Sequence, residues 1–192
     1  METSVSLLER IRRSSGDSDW GQLVGLYDPL IRLWIRRYSS AKHEVDDVVQ
    51  EILTVVVRKL PDFERARLGS FRSWLRTITV NCLRDSWRSK RFRPLASGGS
   101  DFHAVLDQLA DPCSELSQVW NDEYDQHVLQ SLLEQVRHDF SEPIWQSFWR
   151  VAVSGESVER VSSDLGVSVN SVYIARSRVM SRLRQLGQGL IE

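Results

Sequence analysis

The sequence predicts an all-α protein: an N-terminal helical bundle and a C-terminal helix-turn-helix domain, joined by a flexible acidic linker. Apolar residues recur at helical spacing, i, i+3, i+4 and i+7, along most of the chain. No two alternating runs flank a turn in the way that a β-hairpin requires. A stretch rich in Gly, Ser, Pro and acidic residues separates the two helical halves. We therefore expect domains at residues 1–94 and 119–192, with the linker at 95–118.

Composition limits the class of protein. The 192 residues are 41% hydrophobic and 27% charged, which is ordinary for a soluble globular chain. No apolar run reaches the roughly 18 residues that a membrane-spanning helix needs, and the N-terminus lacks a signal-peptide core. Two cysteines and four histidines show no metal-ligand spacing. We expect a cytoplasmic protein without a metal or cofactor.

The charges are segregated, although the net charge is only −1. Between Arg58 and Arg93 there are eleven Lys/Arg residues against three acidic ones. Between Asp101 and Glu142 there are ten acidic residues against one arginine. From Arg150 to Arg184 the balance is six basic to three acidic. Two basic blocks around an acidic one are typical of a chain that contacts a polyanion at two places.

Helices are predicted in chain order from apolar spacing and from Pro, Gly and capping residues. Their approximate ranges are 4–13, 20–38, 44–60 ending at Pro61, 71–92 ending near Pro94, 119–140, a short one from Pro143 to 153, 158–165, and a last one after Ser168.

The helix at 44–60 has the composition of a strand but the spacing of a helix. Its β-branched residues favour a strand. However, its apolar residues form one helical stripe: Val45, Val48, Val49, Ile52, Leu53, Val56 and Leu60. The opposite face carries Asp47, Gln50 and Glu51 together with Thr54. This patch is either a solvated helix face or an acidic, amide-bearing binding surface.

The basic segment after Pro61 combines arginines with aromatic residues. In the helix at 71–92, Phe71, Trp74 and Ile78 belong to an apolar stripe, and arginines cover much of the remaining surface. In the preceding loop, Phe63 stands near Arg65 and Arg67. Aromatic rings interleaved with arginine bind single-stranded DNA by stacking and charge. The alternative is a basic surface helix with the loop aromatic folded inward.

Residues 158–186 predict a helix-turn-helix. Gly166 suits a turn with positive φ, and Ser168 can cap the second helix. That helix turns an apolar side inward and presents Asn170, Tyr173, Ile174 and Ser177 near its N-terminus, where a recognition helix contacts base edges. Its arginines would neutralise phosphates. The alternative is a pair of packed helices in an α-bundle.

Taken in order, LYDPLIRLWIRRYS, DDVVQE, FRSWLRTITVN with its basic tail, a linker and a helix-turn-helix resemble the bacterial extracytoplasmic-function (ECF) sigma factors of RNA polymerase. The resemblance is to the small two-domain type and covers about Trp20 to Leu186. It implies a sigma region 2 fold for the N-terminal domain and a region 4 fold for the C-terminal domain.

The resemblance also implies partners and site residues. Asp47, Gln50 and Glu51 would contact the clamp helices of the largest polymerase subunit, and the polymerase flap would be a further contact. The minus-ten promoter element would be read by the loop 62–69 and the next helix, through Phe63, Arg65, Arg67, Asn81, Arg84 and Arg88. The minus-thirty-five element would be bound by Asn170, Ser171, Tyr173, Ile174, Ser177 and Arg178. Promoter DNA, core polymerase and an anti-sigma factor are the implied partners.

The sequence therefore favours a promoter-specificity subunit without catalysis of its own. A stand-alone helix-turn-helix regulator is the alternative, but it leaves DDVVQE and FRSWL without a role. A metal-dependent nucleic-acid enzyme is disfavoured, because Asp46 and Asp47 diverge by about 100° on a helix. A sigma antagonist does not explain two basic surfaces. Because the linker is expected to be flexible, the free chain should bind promoter DNA weakly.

Overall fold

The structure is a computed structural model. It describes residues 7–13, 16–38, 42–64, 70–89, 99–188 and 190, with the backbone alone at 12, 13, 17, 42, 70, 99 and 100. All regular elements in these ranges are helical, which confirms the all-α prediction. The helices are α1 Leu7–Arg13, α2 Asp17–Arg36, α3 Lys42–Lys59, α4 Ser70–Arg88, α5 Gly99–Ala110, α6 Glu115–Arg137, α7 Glu142–Ala152, α8 Val158–Leu165 and α9 Val169–Gly187. A short 3-10 helix, Leu60–Asp62, follows α3.

The chain divides into two compact units, and the division falls within α6. We call residues 5–128 the N-terminal unit and residues 129–188 the C-terminal unit. Each unit has its own buried apolar residues. The functional domains expected at 1–94 and 119–192 stay a prediction.

The core of the N-terminal unit is built by α2, α3 and α4. The stripe predicted for α3 is buried over its whole length, from Val45 to Leu60. Burying one such side chain contributes roughly 1.5–3 kcal/mol, whereas a β-branched residue lowers helix propensity by less than about 1 kcal/mol. The helical spacing therefore outweighs the strand-like composition. Cys82 of α4 lies in this core, and burial raises the pKa of its thiol to about 11.

Residues 99–110 form a packed helix where the sequence predicted a flexible linker. Phe102, Leu106 and Leu109 are buried at 1% exposure or less, and the ring of Phe102 lies 6.1 Å from that of Trp87 in α4. These three apolar residues have helical spacing, but polar neighbours and the lack of a visible partner conceal it in the sequence. Residues 95–98 lie outside the described part of the chain.

A short turn connects α5 to α6, which begins four residues earlier than predicted. In this turn, the backbone N–H of the exposed Cys113 donates to the Asp111 carboxylate at 2.9 Å. The hydroxyl of Ser117 donates to the carbonyls of Gln108 and Leu109 at 3.2 and 3.1 Å. The two Ser117 bonds satisfy carbonyls that the end of α5 leaves open.

The first half of α6 packs against α2 through aromatic residues. Trp34 and Trp120 lie with ring centroids 4.8 Å apart, and the hydroxyls of Tyr27 and Tyr124 are 2.9 Å apart in a hydrogen bond. Both tyrosines are fully buried, and burial is the main cause that raises the pKa of each phenol. At the edge, Arg37 pairs with Glu123 at 2.7 Å.

The C-terminal unit is a helix-turn-helix supported by α7 and the end of α6. Its core consists of Leu132, Val136, Trp145, Phe148, Val161, Val172, Ala175, Val179 and Leu183. Gly166 ends α8 with φ of 65°, a conformation that glycine adopts without steric cost. The Ser168 hydroxyl accepts the backbone N–H of Ser171 at 3.1 Å. The predicted turn and cap are therefore confirmed.

The buried tyrosine pair gives a test of the N-terminal unit. Tyr124→Phe leaves the Tyr27 hydroxyl buried without its partner, so we expect a loss of about 1–3 kcal/mol in the free energy of unfolding. The double variant Tyr27→Phe/Tyr124→Phe removes both hydroxyls and should recover most of that loss. Chemical denaturation of the three proteins measures this difference.

The same pair predicts an alkaline dependence. A folded-state pKa raised above the unfolded value of 10.0 contributes stability that is complete below that pH and is lost as the pH rises above it. The double variant should therefore lose less stability above about pH 10 than the wild type. Tyr173→Phe, at an exposed position, is the control. Equal alkaline slopes in wild type and double variant would contradict the assignment.

Candidate nucleic-acid interface

The acidic face of α3 lies opposite an apolar face that is buried in the core of the N-terminal unit. Val48 and Val49 are buried at 1% exposure or less, while Asp47 and Gln50 on the other side are exposed and Glu51 is half-buried. The structure thus brings the three predicted residues onto one surface.

Asp46 does not belong to this surface, because it forms an ion pair with Arg32 of α2. Arg32 also donates to both carboxylate oxygens of Asp28, at 3.1 and 3.2 Å. These hydrogen bonds, first to Asp28 and then to Asp46, raise the pKa of Arg32. Asp46 therefore ties α3 to α2, a role that the sequence left undecided.

Phe63 is folded inward. It is 8% exposed, and its ring centroid lies 5.5 Å from that of Phe71 and 5.0 Å from that of Trp74. Its backbone N–H closes the 3-10 helix by donating to the Leu60 carbonyl at 3.0 Å. Of the two sequence-based interpretations, this placement is the inward one. Arg65 and Arg67 lie outside the described residues.

One face of α4 presents the remaining residues expected at the minus-ten element. Asn81, Arg84 and Arg88 follow one another at i, i+3 and i+7 and so share a side of the helix. Asn81 is exposed, and the Arg88 side chain is 69% exposed, 3.8 Å from Asp85. Arg84 is different, because it donates to Asp107 of α5 at 2.6 Å.

Two further arginines of α4 are structural, a role that the sequence-based prediction did not include. Arg72 pairs with Asp125 of α6 at 2.5 Å. Arg76 is buried and donates to the Asn121 side chain at 3.1 Å, and its burial, followed by the charge of Arg72, lowers its pKa. A signal was present: the i, i+4 spacing of the two arginines matches the i, i+4 spacing of Asn121 and Asp125.

We call the side of α9 that carries Asn170, Tyr173, Ile174, Ser177 and Arg178 its recognition face, and it is exposed to solvent. Tyr173 and Ile174 are 50% and 44% exposed, and Asn170, Ser177 and Arg178 are exposed beside them. Ser171 differs from the other predicted contacts, because its hydroxyl lies 2.8 Å from that of Ser168 and its N–H is taken by the cap. Ser171 therefore has a structural role at the start of the helix.

An ion-pair cluster fixes α8 to α7. Arg150 donates to the two carboxylate oxygens of Glu156 at 2.9 and 2.6 Å, and to Asp164 at 2.6 Å. The hydrogen bonds from Arg150 lower the pKa of both carboxyl groups. The cluster positions the first helix of the helix-turn-helix. The sequence does not reveal it, because the pairing is set by the turn after α7.

The described part of the chain contains neither a metal-binding group of side chains nor a membrane-spanning helix. It contains no group of three or more His, Cys, Asp or Glu side chains placed to hold a metal ion. None of its helices has the length and hydropathy needed to cross a bilayer.

Comparison with known proteins finds a family match for the part of the chain that carries the acidic face of α3 and the basic helix α4. Residues 23–93, which hold α3, the 3-10 helix and α4, match the family model for sigma-70 region 2. This part of the chain is therefore similar to sigma-70 region 2, the fold that the motifs implied for the N-terminal domain. The resemblance stated from the motifs is thereby confirmed.

Three curated relatives illustrate the relationship. The RNA polymerase sigma factor CnrH of Cupriavidus metallidurans is 32% identical over 100 residues, 52% of this chain and 51% of CnrH. The ECF sigma factor SigE of Mycolicibacterium smegmatis is 26% identical over 184 residues, 96% of this chain and 66% of SigE. The ECF sigma factor SigF of Caulobacter vibrioides is 26% identical over 152 residues, 79% of this chain and 75% of SigF.

The match to these relatives is partial in length. The chain covers about half of CnrH and just under two thirds of SigE. A solved structure of CnrH in complex with the cytosolic domain of CnrY is 24% identical, with 92% of both chains covered and a TM-score of 0.38.

The Arg150 cluster predicts an acid dependence of the helix-turn-helix. The pKa values of Glu156 and Asp164 are lower in the folded state than their unfolded values of 4.5 and 3.8. The two carboxylates therefore stabilise the folded state above the unfolded pKa values, and this stabilisation is lost as the pH falls through the folded-state pKa values. We expect the wild type to lose melting temperature below about pH 4.5. Arg150→Met should be less stable at neutral pH and less sensitive to acid. Arg176→Met, at an exposed arginine of α9, is the matched control, and equal acid slopes in all three would contradict the cluster's role.

Proposed function

We propose that this chain is a sigma factor that binds core RNA polymerase, directs it to a restricted set of promoters, and promotes DNA melting and initiation of transcription. The observation that carries the proposal is the sigma-70 region 2 match on a chain that also folds a capped helix-turn-helix. The protein would act by binding alone, in the cytoplasm, without catalysis of its own. Its relatives named as ECF sigma factors support this role.

The acidic face of α3 is the proposed contact with the polymerase clamp helices. Asp47 and Gln50 are exposed on a helix whose other side is immobilised in the core, so they are presented without a large entropic cost of ordering. Charge complementarity with a basic partner would add specificity and speed of association. The flap of the polymerase is the second proposed contact, with the C-terminal unit.

The exposed face of α4 and the preceding loop are the proposed reader of the minus-ten element. Arg84 and Arg88 would neutralise backbone phosphates, and Asn81 can donate to and accept from a base edge. Phe63, buried against Phe71 and Trp74, would anchor the start of the loop that receives an extruded base. Extrusion costs a few kcal/mol, and a preformed pocket returns part of it. Arg65 and Arg67 of this loop are further proposed contacts to the minus-ten element.

The recognition face of α9 is the proposed reader of the minus-thirty-five element. Its N-terminal residues Asn170, Tyr173 and Ile174 stand where a recognition helix meets base edges in the major groove. Ile174 is an exposed β-branched side chain suited to contact a thymine methyl group. Ser177 and Arg178 continue the same surface one turn later. Arg178 is proposed to contact the phosphate backbone of the DNA.

A stand-alone transcriptional regulator is the second candidate. It is favoured by one observation: the C-terminal unit has a core and a complete helix-turn-helix of its own. Transcription with purified core polymerase on fragmented genomic DNA separates the two candidates. Start sites that require both proteins support the sigma factor. Tight duplex binding without any such start site would support the regulator. An anti-sigma factor is a further proposed partner, by the family resemblance.

The α3 surface is tested by Asp47→Ala/Gln50→Ala. We expect binding to core polymerase to weaken by at least about tenfold, which corresponds to 1.4 kcal/mol shared between two interface side chains. Pull-down and titration with core polymerase measure it. Asp122→Ala, an exposed carboxylate of α6, is the control and should bind as the wild type does. Unchanged binding by the double variant would show that the patch is not the contact.

The recognition face is tested by comparing Ile174→Ala with Arg178→Ala in the holoenzyme. Loss of a base-edge contact should reduce binding at selected promoters by about 1–3 kcal/mol and relax the preference at one position. Loss of a phosphate contact should weaken all promoters similarly and reduce the salt slope by about 1. Footprinting on a promoter library at several salt concentrations measures both. Equal patterns for the two variants would contradict these roles.

A further inference from the structure

The segment 99–128, which comprises α5 and the first half of α6, is acidic and lies against the basic helix α4. It contains seven Asp/Glu residues and no Lys or Arg. Helix α4 contains four arginines and one acidic residue, Asp85. We call residues 99–128 the docked acidic segment.

Three of the four α4 arginines donate to the docked acidic segment. Arg72 bonds to Asp125, Arg76 to Asn121 and Arg84 to Asp107. The fourth, Arg88, pairs only within its own helix, at 3.8 Å from Asp85, among the residues that the structure describes. Two of the four α4 arginines, Arg72 and Arg84, are therefore paired with carboxylates of the docked acidic segment, and Arg76 is bound by a neutral amide of that segment.

The docking is built from apolar contacts as well as charges. Trp87 of α4 packs edge-on against Phe102, with ring centroids 6.1 Å apart, and against His103 at 4.1 Å. Leu106 and Leu109 of α5 are buried, and so are Trp120 and Tyr124 of α6. The segment thus has a defined position, and its carboxylates are placed by packing rather than by attraction alone.

The three polar contacts differ in exposure, and this difference assigns them different roles. Arg76 is 4% exposed and the Arg72 side chain is 20% exposed, so water and solutes reach them poorly. The Asp107 side chain is 69% exposed and its partner Arg84 27%. An ion pair this exposed to solvent contributes little to the stability of the fold, and salt screens it. A DNA phosphate can therefore displace Asp107, whereas Arg72 and Arg76 hold the segment in place.

We propose that the docked acidic segment masks α4, with the Asp107 carboxylate occupying the place of a DNA phosphate on Arg84. The free chain then binds DNA less tightly than its arginines allow, and full binding requires Asp107 to be displaced. This inference rests on the proposed function only in taking Arg84 as a DNA contact. It needs neither polymerase nor a particular promoter sequence, since phosphate attraction is independent of sequence.

The test measures binding of the full-length free chain to a fluorescent DNA oligonucleotide by anisotropy, over a range of salt concentrations. Asp107→Asn keeps the size of the side chain and removes its charge. We expect the affinity to rise about two- to fivefold at low salt, as for the loss of one exposed competing ion pair. The slope of log K against log salt should steepen by about 0.7–0.9, as for one added phosphate contact.

Two further variants make the result specific. Asp122→Asn removes the same charge from an exposed position of the same segment, and Asp122 has no ion pair within the described ranges. It should leave affinity and salt slope nearly unchanged. In an Arg84→Ala background, the gain from Asp107→Asn should disappear, because the two side chains act as one unit. Thermal unfolding checks that each variant is folded.

Three results would overturn the masking: no gain from Asp107→Asn, an equal gain from Asp122→Asn, or a gain that persists with Arg84→Ala. The proposed function is judged separately, by transcription with core polymerase. If Asp107→Asn raises DNA affinity but the chain supports no transcription, masking stands and the sigma-factor proposal falls. If transcription occurs while the affinities of the variants do not differ, masking alone falls.

Discussion

The N-terminal unit depends on α4 being packed from two sides. One side, with Phe71, Leu75 and Cys82, lies in the core that α2 and α3 complete. A second side, with Arg76 and Trp87, is covered by α5 and α6. What remains is a narrow row of polar side chains. Because both flanks are fixed, the row has a defined direction, and any nucleic acid that binds it meets a rigid surface.

Much of the fold could be predicted because its rules are local. Helical spacing identified α3 against its composition, and the turn at Gly166 and the cap at Ser168 follow from the conformational preferences of single residues. The packing of α5 could not be predicted in this way. Phe102 is apolar at a helical position, but the rings that contact it belong to Trp87 of α4 and to Tyr38, which lies far along the chain. A sequence shows such a residue without showing its partner.

The candidate sites show the same limit. The faces of α3 and α9 could be predicted, since one helix determines which residues share a side. The partners of charged residues could not, because they come from other helices. Asp46 is taken up by Arg32, and Arg84 by Asp107. Phe63 admitted two interpretations in the sequence, and three-dimensional proximity to Phe71 and Trp74 determines its place in the free chain.

The two cysteines make the native chain suitable for single-site labelling. Cys113 is exposed in the turn that joins α5 to α6, whereas Cys82 is buried and its raised pKa keeps the thiol protonated at neutral pH. Maleimide chemistry should therefore modify one position without any engineered substitution. A fluorophore placed there reports on the turn between the two helices that cover α4. Its emission can be compared in the unaltered protein before and after core polymerase or DNA is added.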